Sequence, residues 1–346
     1  MLDQMSKSIS CTRARWLIIA IAIFCATSCQ AQETPLISGG VGFFTSTFGG
    51  NTSYQPIIEP LLAAPIGNHL LIESRAALLE SFTPDATGYS HSHFIGLSYL
   101  QGDLTLVPHV TIVGGSYLLP IATYNERLSP IWISNFQDGP IIQGLGLMGT
   151  GVGVGGELRG SAISRPHYSI SYTGWFSASS KNEQFNSERS SGGRVSLYLP
   201  EKRLEIGASY GRSLQGTHEN FEGAHVWWEP ANTAFRLRSE YDKGEHAQGY
   251  WIEADYRTQK FGGLDSWIGR FEPVFRMQQS FRIDTSVSDG VPLVDTQRAD
   301  FGLDYNLPHN TRILTSYSRQ FSSAGDVNIW ETGIVYRFLF PAWKGK

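Results

Sequence analysis

The 346-residue sequence holds three cysteines, Cys11, Cys25 and Cys29, all within its first 31 residues. Beyond residue 31 the chain therefore has no means of forming a disulfide or a cysteine-ligated metal or haem site. Long apolar runs are missing too. After the N-terminal segment, no stretch approaches the ~20 residues that a helix rising ~1.5 Å per residue needs to cross a hydrocarbon core. An excess of positive charge is also absent: 27 Lys and Arg stand against 31 Asp and Glu, a net charge of −4. That balance gives no support for nucleic-acid binding. Clear amphipathic helical periodicity does not occur, which leaves strands as the principal means of building the chain.

What the sequence does have begins at its N-terminus. Lys7, Arg13 and Arg15 precede an apolar run at 16–25, and small residues follow as far as Ala31. Charge, a short apolar stretch and a small-residue exit describe a secretory signal peptide. We expect residues 1–31 to be that peptide, with Cys29 and Ala31 read at the cleavage site and Gln32 opening the mature chain. A competing reading takes Ala26-Thr27-Ser28-Cys29 as a lipobox with Cys29 lipidated, although the usual leucine is missing from its first position. Residues 32–346 are expected to form a single barrel domain.

From Ser38 onward, segments of roughly ten residues alternate apolar and polar side chains, the period of a strand with one face of each kind. Phe235, Leu237 and Tyr241 alternate with Arg236, Arg238 and Glu240, and Ile252, Ala254 and Tyr256 with Glu253, Asp255 and Arg257. Links between segments also alternate in length. Short ones at Gln101-Gly102-Asp103, Glu201-Lys202-Arg203, Pro230-Ala231-Asn232 and Pro308-His309-Asn310 interleave with longer ones at 118–148, 178–190, 279–292 and 321–327. Short turns on one rim and long loops on the other are the habit of transmembrane barrels. The fold class predicted is all-β, a transmembrane antiparallel barrel of about sixteen strands, with about fourteen to eighteen allowed. The weakest strand is the one near Tyr54, where Pro56, Pro60 and Pro65 remove ladder donors. The fifth is expected from Leu104 and the thirteenth from Trp267.

The polar faces decide between a wet and a dry interior. Arg236, Arg238, Glu253, Asp255, Arg257, Arg270, Glu272, Arg276 and Arg298 stand on them, and a dry core holds so many charges only at great cost. These residues are expected to line a water-filled pore. A secreted soluble β-protein with one wet sheet face is the counter-reading. Trp227, Trp228, Trp267, Trp330, Tyr210, Tyr241 and Phe340 are expected in the aromatic girdles where strands meet the interfaces. Arg75, Arg159, Arg194, Arg312 and Arg337 join the inward basic set, and Glu73, Glu157, Glu205, Glu240, Asp300, Asp304 and Glu331 the acidic one. The wall then comes out close to neutral, which predicts weak ion selectivity.

The last strand reads Glu331-Thr332-Gly333-Ile334-Val335-Tyr336-Arg337-Phe338. In Glu331, Gly333, Tyr336 and Phe338 it resembles the C-terminal insertion signal of outer-membrane barrels, although the chain runs on to Phe340 and six further residues. The stretch from Val113 to Pro140 resembles the region of phosphate-selective-type porins in which a strand leads into the inward-folded third loop. Leu119 to Leu128 stands where that family shows a Lys-x-Pro-Phe-Gly type sequence, and the lysine and the Phe-Gly pair are absent here. The resemblance implies an outer-membrane porin, a passive channel for small hydrophilic solutes and not an enzyme. It also implies outer-membrane lipid and the barrel-assembly machinery as partners, and a homotrimer. Residues 118–148 would be the constriction loop, with Tyr124, Asn125, Glu126, Arg127 and Asp138 at the narrowest point. The alternatives are a phosphate- or anion-selective porin and an outer-membrane barrel enzyme.

Three motifs point elsewhere and are better read as structure. Gly144-Leu145-Gly146-Leu147-Met148-Gly149 matches the dinucleotide pattern, but glycine-rich alternating sequence follows where that motif needs a helix. Gly207-Ala208-Ser209-Tyr210-Gly211 matches the serine-hydrolase elbow but lies within an alternating run. His91 and His93 share one strand face at a spacing that can chelate a metal, and no third ligand is evident. No catalytic residue, metal or cofactor is assigned.

Overall fold

The computed structural model describes residues 34–341 except 87, 122, 144–150 and 264. Its strands, in chain order, are β1 (Leu36–Phe48), β2 (Asn51–Ile66), β3 (Leu70–Asp85), β4 (Gly88–Val107), β5 (Val110–Leu118), β6 (Val152–Ser164), β7 (Ser169–Ala178), β8 (Ser180–Asn182), β9 (Phe185–Ser187), β10 (Ser190–Leu199), β11 (Leu204–Ser213), β12 (Asn220–Trp228), β13 (Phe235–Lys243), β14 (Ala247–Tyr256), β15 (Phe271–Arg282), β16 (Thr296–Leu307), β17 (Thr311–Ser322) and β18 (Val327–Pro341). All but β8 and β9 form one closed antiparallel barrel of sixteen strands, each paired with its chain neighbour, and β1 closes on β18. The pair β8 and β9 is a small separate hairpin. The signal-peptide segment and the glycine-rich 144–149 motif lie outside the described residues.

One rim carries the connections 67–69, 108–109, 165–168, 200–203, 229–234 and 308–310 together with both ends of the barrel. In the last of these, His309 and Asn310 both take positive φ, 59° and 57°, the backbone of a tight turn that matches strand twist. The opposite rim carries 119–151, 179–189, 214–219 and 283–295 but also the short links 49–50, 244–246 and 323–326, while the connection 257–270 falls on the first rim. The link expected to be long at 321–327 is therefore short, and lengths alternate only in part.

Two boundaries differ most from the sequence expectation, and the strand expected to be weakest does form. Gln101-Gly102-Asp103 is not a link but lies within β4, and the turn falls at 108–109. Polar residues facing a wet lumen had the look of a turn. The thirteenth barrel strand begins at Phe271 because Gln259–Gly262 and Ile268–Arg270 form helical turns. The proline-rich segment is a full strand, but β2 pairs with β3 discontinuously: the ladder skips Gln55-Pro56 and Glu59-Pro60, as missing N–H donors require.

Outward positions form an apolar belt including Val41, Ile58, Leu104, Ile112, Ile206, Ile252, Phe301 and Ile334, all exposed. An apolar belt closed around the whole barrel suits lipid and not water, which removes the soluble reading. Trp228, Trp267, Trp330, Tyr210, Tyr241 and Phe340 are exposed as expected. Trp227 instead faces inward, 4.9 Å beneath the Arg127 guanidinium. The buried apolar clusters lie inside the barrel, where the 119–143 segment packs against the wall.

Candidate pore interior

The connection after β5 turns back into the barrel because its apolar side chains have no other dry place to go. Leu119, Ile121, Leu128, Phe136 and Ile142 are all buried there. Ile121 and Leu119 cluster with Tyr117, Val113 and Trp175, while Tyr124 and Ile142 pack on Trp251 and Ala247. Ile131 and Trp132 settle against Phe44, Leu314 and Val335 on the far wall. Room for this approach comes from glycine. A Cβ at Gly40 would stand 2.9 Å from Ile131 Cγ1, and one at Gly249 would stand 2.4 Å from Ile142 Cγ2.

Polar anchors fix the same loop from the other side. The helical turn Tyr124–Arg127 begins where Thr123 N and Oγ1 donate to Glu240 at 3.0 and 2.9 Å, with Tyr124 N also donating at 3.2 Å. Asn125 Nδ2 donates to the Gly151 carbonyl at 3.2 Å. Glu126 pairs with Arg194, and Arg127 donates to both oxygens of Glu205 at 3.0 Å. Ile131 N donates to Glu59 at 3.0 Å and Asn135 Nδ2 to Glu253 at 3.1 Å. Asp138 accepts from Arg276 at 3.1 Å and from Arg298.

The wall behind these anchors is a row of opposite charges set by register. Arg238 stands opposite Glu253, Glu253 opposite Arg276, and Arg276 opposite Asp300, across β13 to β16. Directly opposed residues on one face lie close enough to pair. Arg236 Nε donates to Asp255 at 2.7 Å and its Nη2 to Glu272 at 3.2 Å; Arg276 Nε donates to Asp300 at 3.0 Å. Arg276 is fully buried and its guanidinium sits 4.4 Å from the Phe136 ring. Removing one member of such a pair leaves a buried charge, at a cost of about 3–5 kcal/mol.

Of the residues expected along the lumen, Arg236, Arg238, Glu253, Asp255, Glu272, Arg276 and Arg298 are brought together there. Arg257 and Arg270 stand apart from them in the 257–270 connection on the short-turn rim, where Arg270 still borders the cavity on that side of the loop. Arg257 pairs with Glu229. The neutral balance is corrected in consequence. Glu59, Asp103 and Asp242 also face inward, as Glu59 binds the loop and the other two are buried between inward neighbours. Carboxylates therefore outnumber guanidiniums on the wall. Alternation could have revealed Asp242, two residues beyond Glu240; Glu59 was hidden by its proline neighbours.

At the terminal strand, Glu331 is buried and inward, while Tyr336 and Phe340 are exposed on the outer face and Phe338 stacks on Phe340. Gly333 stands opposite Phe44, whose ring would meet a Cβ at 2.1 Å. Ser209 lies mid-strand in β11 and donates to the Ile121 carbonyl. His91 contacts Glu80 and stacks on Phe82, centroids 4.9 Å apart.

Space remains on both sides of the loop. A cavity of about 1180 Å³ opens at the long-loop rim above Asp138 and Pro140, and one of about 370 Å³ lies on the other side, lined by Trp132, Arg270, Arg312 and Arg337.

No protein-family model matches the chain, and no curated protein matches it in sequence. Solved structures match in shape. OmpF of Salmonella typhi, in complex with daunomycin, superposes with a TM-score of 0.60 at 12% identity, covering 88% of this chain and 98% of that one. A loop L8 deletion mutant of OmpT, an outer membrane protein of Vibrio cholerae, gives 0.56 at 8% identity over 88% and 100%. The anion-selective porin of Comamonas acidovorans gives 0.53 at 10% identity over 88% and 99%. At such identities the likeness is one of fold: a closed sixteen-strand antiparallel barrel, shared with outer-membrane porins.

Proposed function

We propose that this chain is an outer-membrane channel through which small hydrophilic solutes diffuse, and that it carries out no catalysis. One observation supports this above others: a barrel with a continuous apolar outer belt encloses a charged interior with cavities on both sides of an inward loop. Lipid matches the first and water the second. Residues 118–148 are the constriction in this reading, with Tyr124, Asn125, Glu126, Arg127 and Asp138 held by the wall. Export by a signal peptide at 1–31, use of the Glu331 to Phe338 stretch by the barrel-assembly machinery and a homotrimeric state belong to the same proposal. The test is planar-bilayer conductance of the purified full chain after refolding. Discrete ion-conducting steps are expected; a heat-modifiable, folded barrel that conducts nothing would overturn the reading.

A further inference from the structure

The cavity at the long-loop rim is lined by side chains of predominantly one sign. Asp138, Glu188, Glu219, Glu245 and Asp289 border it, against Arg298 and His246. Two of these carboxylates are engaged by guanidiniums: Asp138 by Arg276 and Arg298, and Asp289 by Arg282 at 2.6 Å. Among the described residues, Glu219 shares only the imidazole of His246, 3.3 Å away, and the hydroxyl of Thr217. Glu188 and Glu245 are exposed to the cavity's water.

A second observation, independent of the rim, points the same way. On the wall below, Asp242 is buried and its Oδ1 accepts no hydrogen bond among the described residues. With Glu59 and Asp103 also inward, carboxylates outnumber guanidiniums on the wall beneath the chamber.

We propose that the rim chamber gathers small cations, inorganic ions or amines, and that the channel passes them in preference to anions; this rests on the reading of the chain as a channel. A cleft of one sign with low-dielectric walls focuses its field and raises the local concentration of counter-ions. The chamber is the last wide space before the loop narrows the lumen, so the enrichment acts on whatever reaches the constriction. Screening sets the range: at ionic strength near 0.1 M the Debye length is about 10 Å, and near 1 M it is about 3 Å. The preference therefore depends on salt.

Reversal potentials across a KCl gradient test this, in the wild type and in a Glu188→Gln/Glu219→Gln/Glu245→Gln variant whose folding is checked by heat-modifiable migration. The wild type is expected to favour potassium over chloride at low salt. The variant's permeability ratio should fall by about twofold or more, and the two proteins should converge near 1 M, where screening removes the field. A chloride preference in the wild type, or a ratio that the triple substitution leaves unchanged at low salt, would overturn the inference while the channel reading stands. A wild type that shows no conductance steps would overturn both.

Discussion

Two stretches of the inner wall hold the same loop by opposite means. Along β1, β2 and β18 the inward residues nearest the loop are mostly apolar, Gly40, Phe44, Ile57, Gly333 and Val335, and the loop meets them with Ile131 and Trp132, while Glu59 adds a polar anchor there. Across β13 to β16 the wall is Arg238, Glu253, Arg276 and Asp300, and the loop meets it with Asn135, the Phe136 ring and Asp138. Apolar contact is tolerant of small shifts, whereas a buried ion pair is costly to break and demands its geometry. The charged wall thus fixes where the loop sits, and the apolar wall keeps it dry on its other side.

Removing the loop from both walls should have the largest effect. Deletion of Ser129 to Asp138 is expected to raise single-channel conductance roughly twofold or more, as the narrowest section widens; unchanged conductance in a folded variant would mean the current runs elsewhere. Next is Arg276→Ala, which takes one of two guanidiniums from Asp300 and Asp138 on the charged wall and leaves Arg298 to serve both. We expect a loss of about 3–5 kcal/mol, read as a lower unfolding midpoint with greater open-channel noise. Arg276→Met, which keeps much of the volume over Phe136, should recover the packing and not the charge pairing. On the apolar wall, Gly40→Val should push Ile131 and Trp132 outward for about 1–3 kcal/mol, with the mean current altered and the noise little changed. If both variants gave the same noise, the division of labour between the walls would fail.

Glu229 on the short-turn rim belongs to neither wall and gives a baseline. Partial burial acts to raise its pKa, but the hydrogen bond and charge of Arg257, with Arg203 and Lys260, outweigh it and hold the carboxyl below its usual range. A depressed pKa stabilises the folded state above the ordinary carboxylate range, and that contribution is lost as pH falls through the folded value. Glu229→Gln should cost no more than about 1 kcal/mol at neutral pH, and thermal melts of variant and wild type should converge in acid.

Alternation made most of the barrel legible in the sequence, because a wall between lipid and water writes its two faces into successive residues. The same wetness hid one boundary: Gln101 and Asp103 face the lumen, and polar residues with a glycine between them resemble a turn. Pro56 and Pro60 concealed Glu59, since the ladder gaps they cause fall on the β3 side only while pairing with β1 is unbroken. The inward course of 119–143 could be inferred from its apolar residues, but not its anchors. Glu240 and Thr123 are separated by more than a hundred residues, and strand periodicity carries no information on contacts made across the lumen.

The seam between β1 and β18 has a consequence for how this chain could be re-engineered. It is paired without interruption from Leu36 opposite Pro341 to Phe48 opposite Ile329, so the hydrogen-bonded ring does not distinguish the place where the sequence starts. A short linker between those two strand ends, with new termini opened at 214–219, would give a circular permutant with every strand pair retained. In it, the fourteen-residue connection 257–270 and the inward loop after β5 would exchange their order relative to the new N-terminus, so the barrel could be assembled with its C-terminal charge row synthesised before its inward loop.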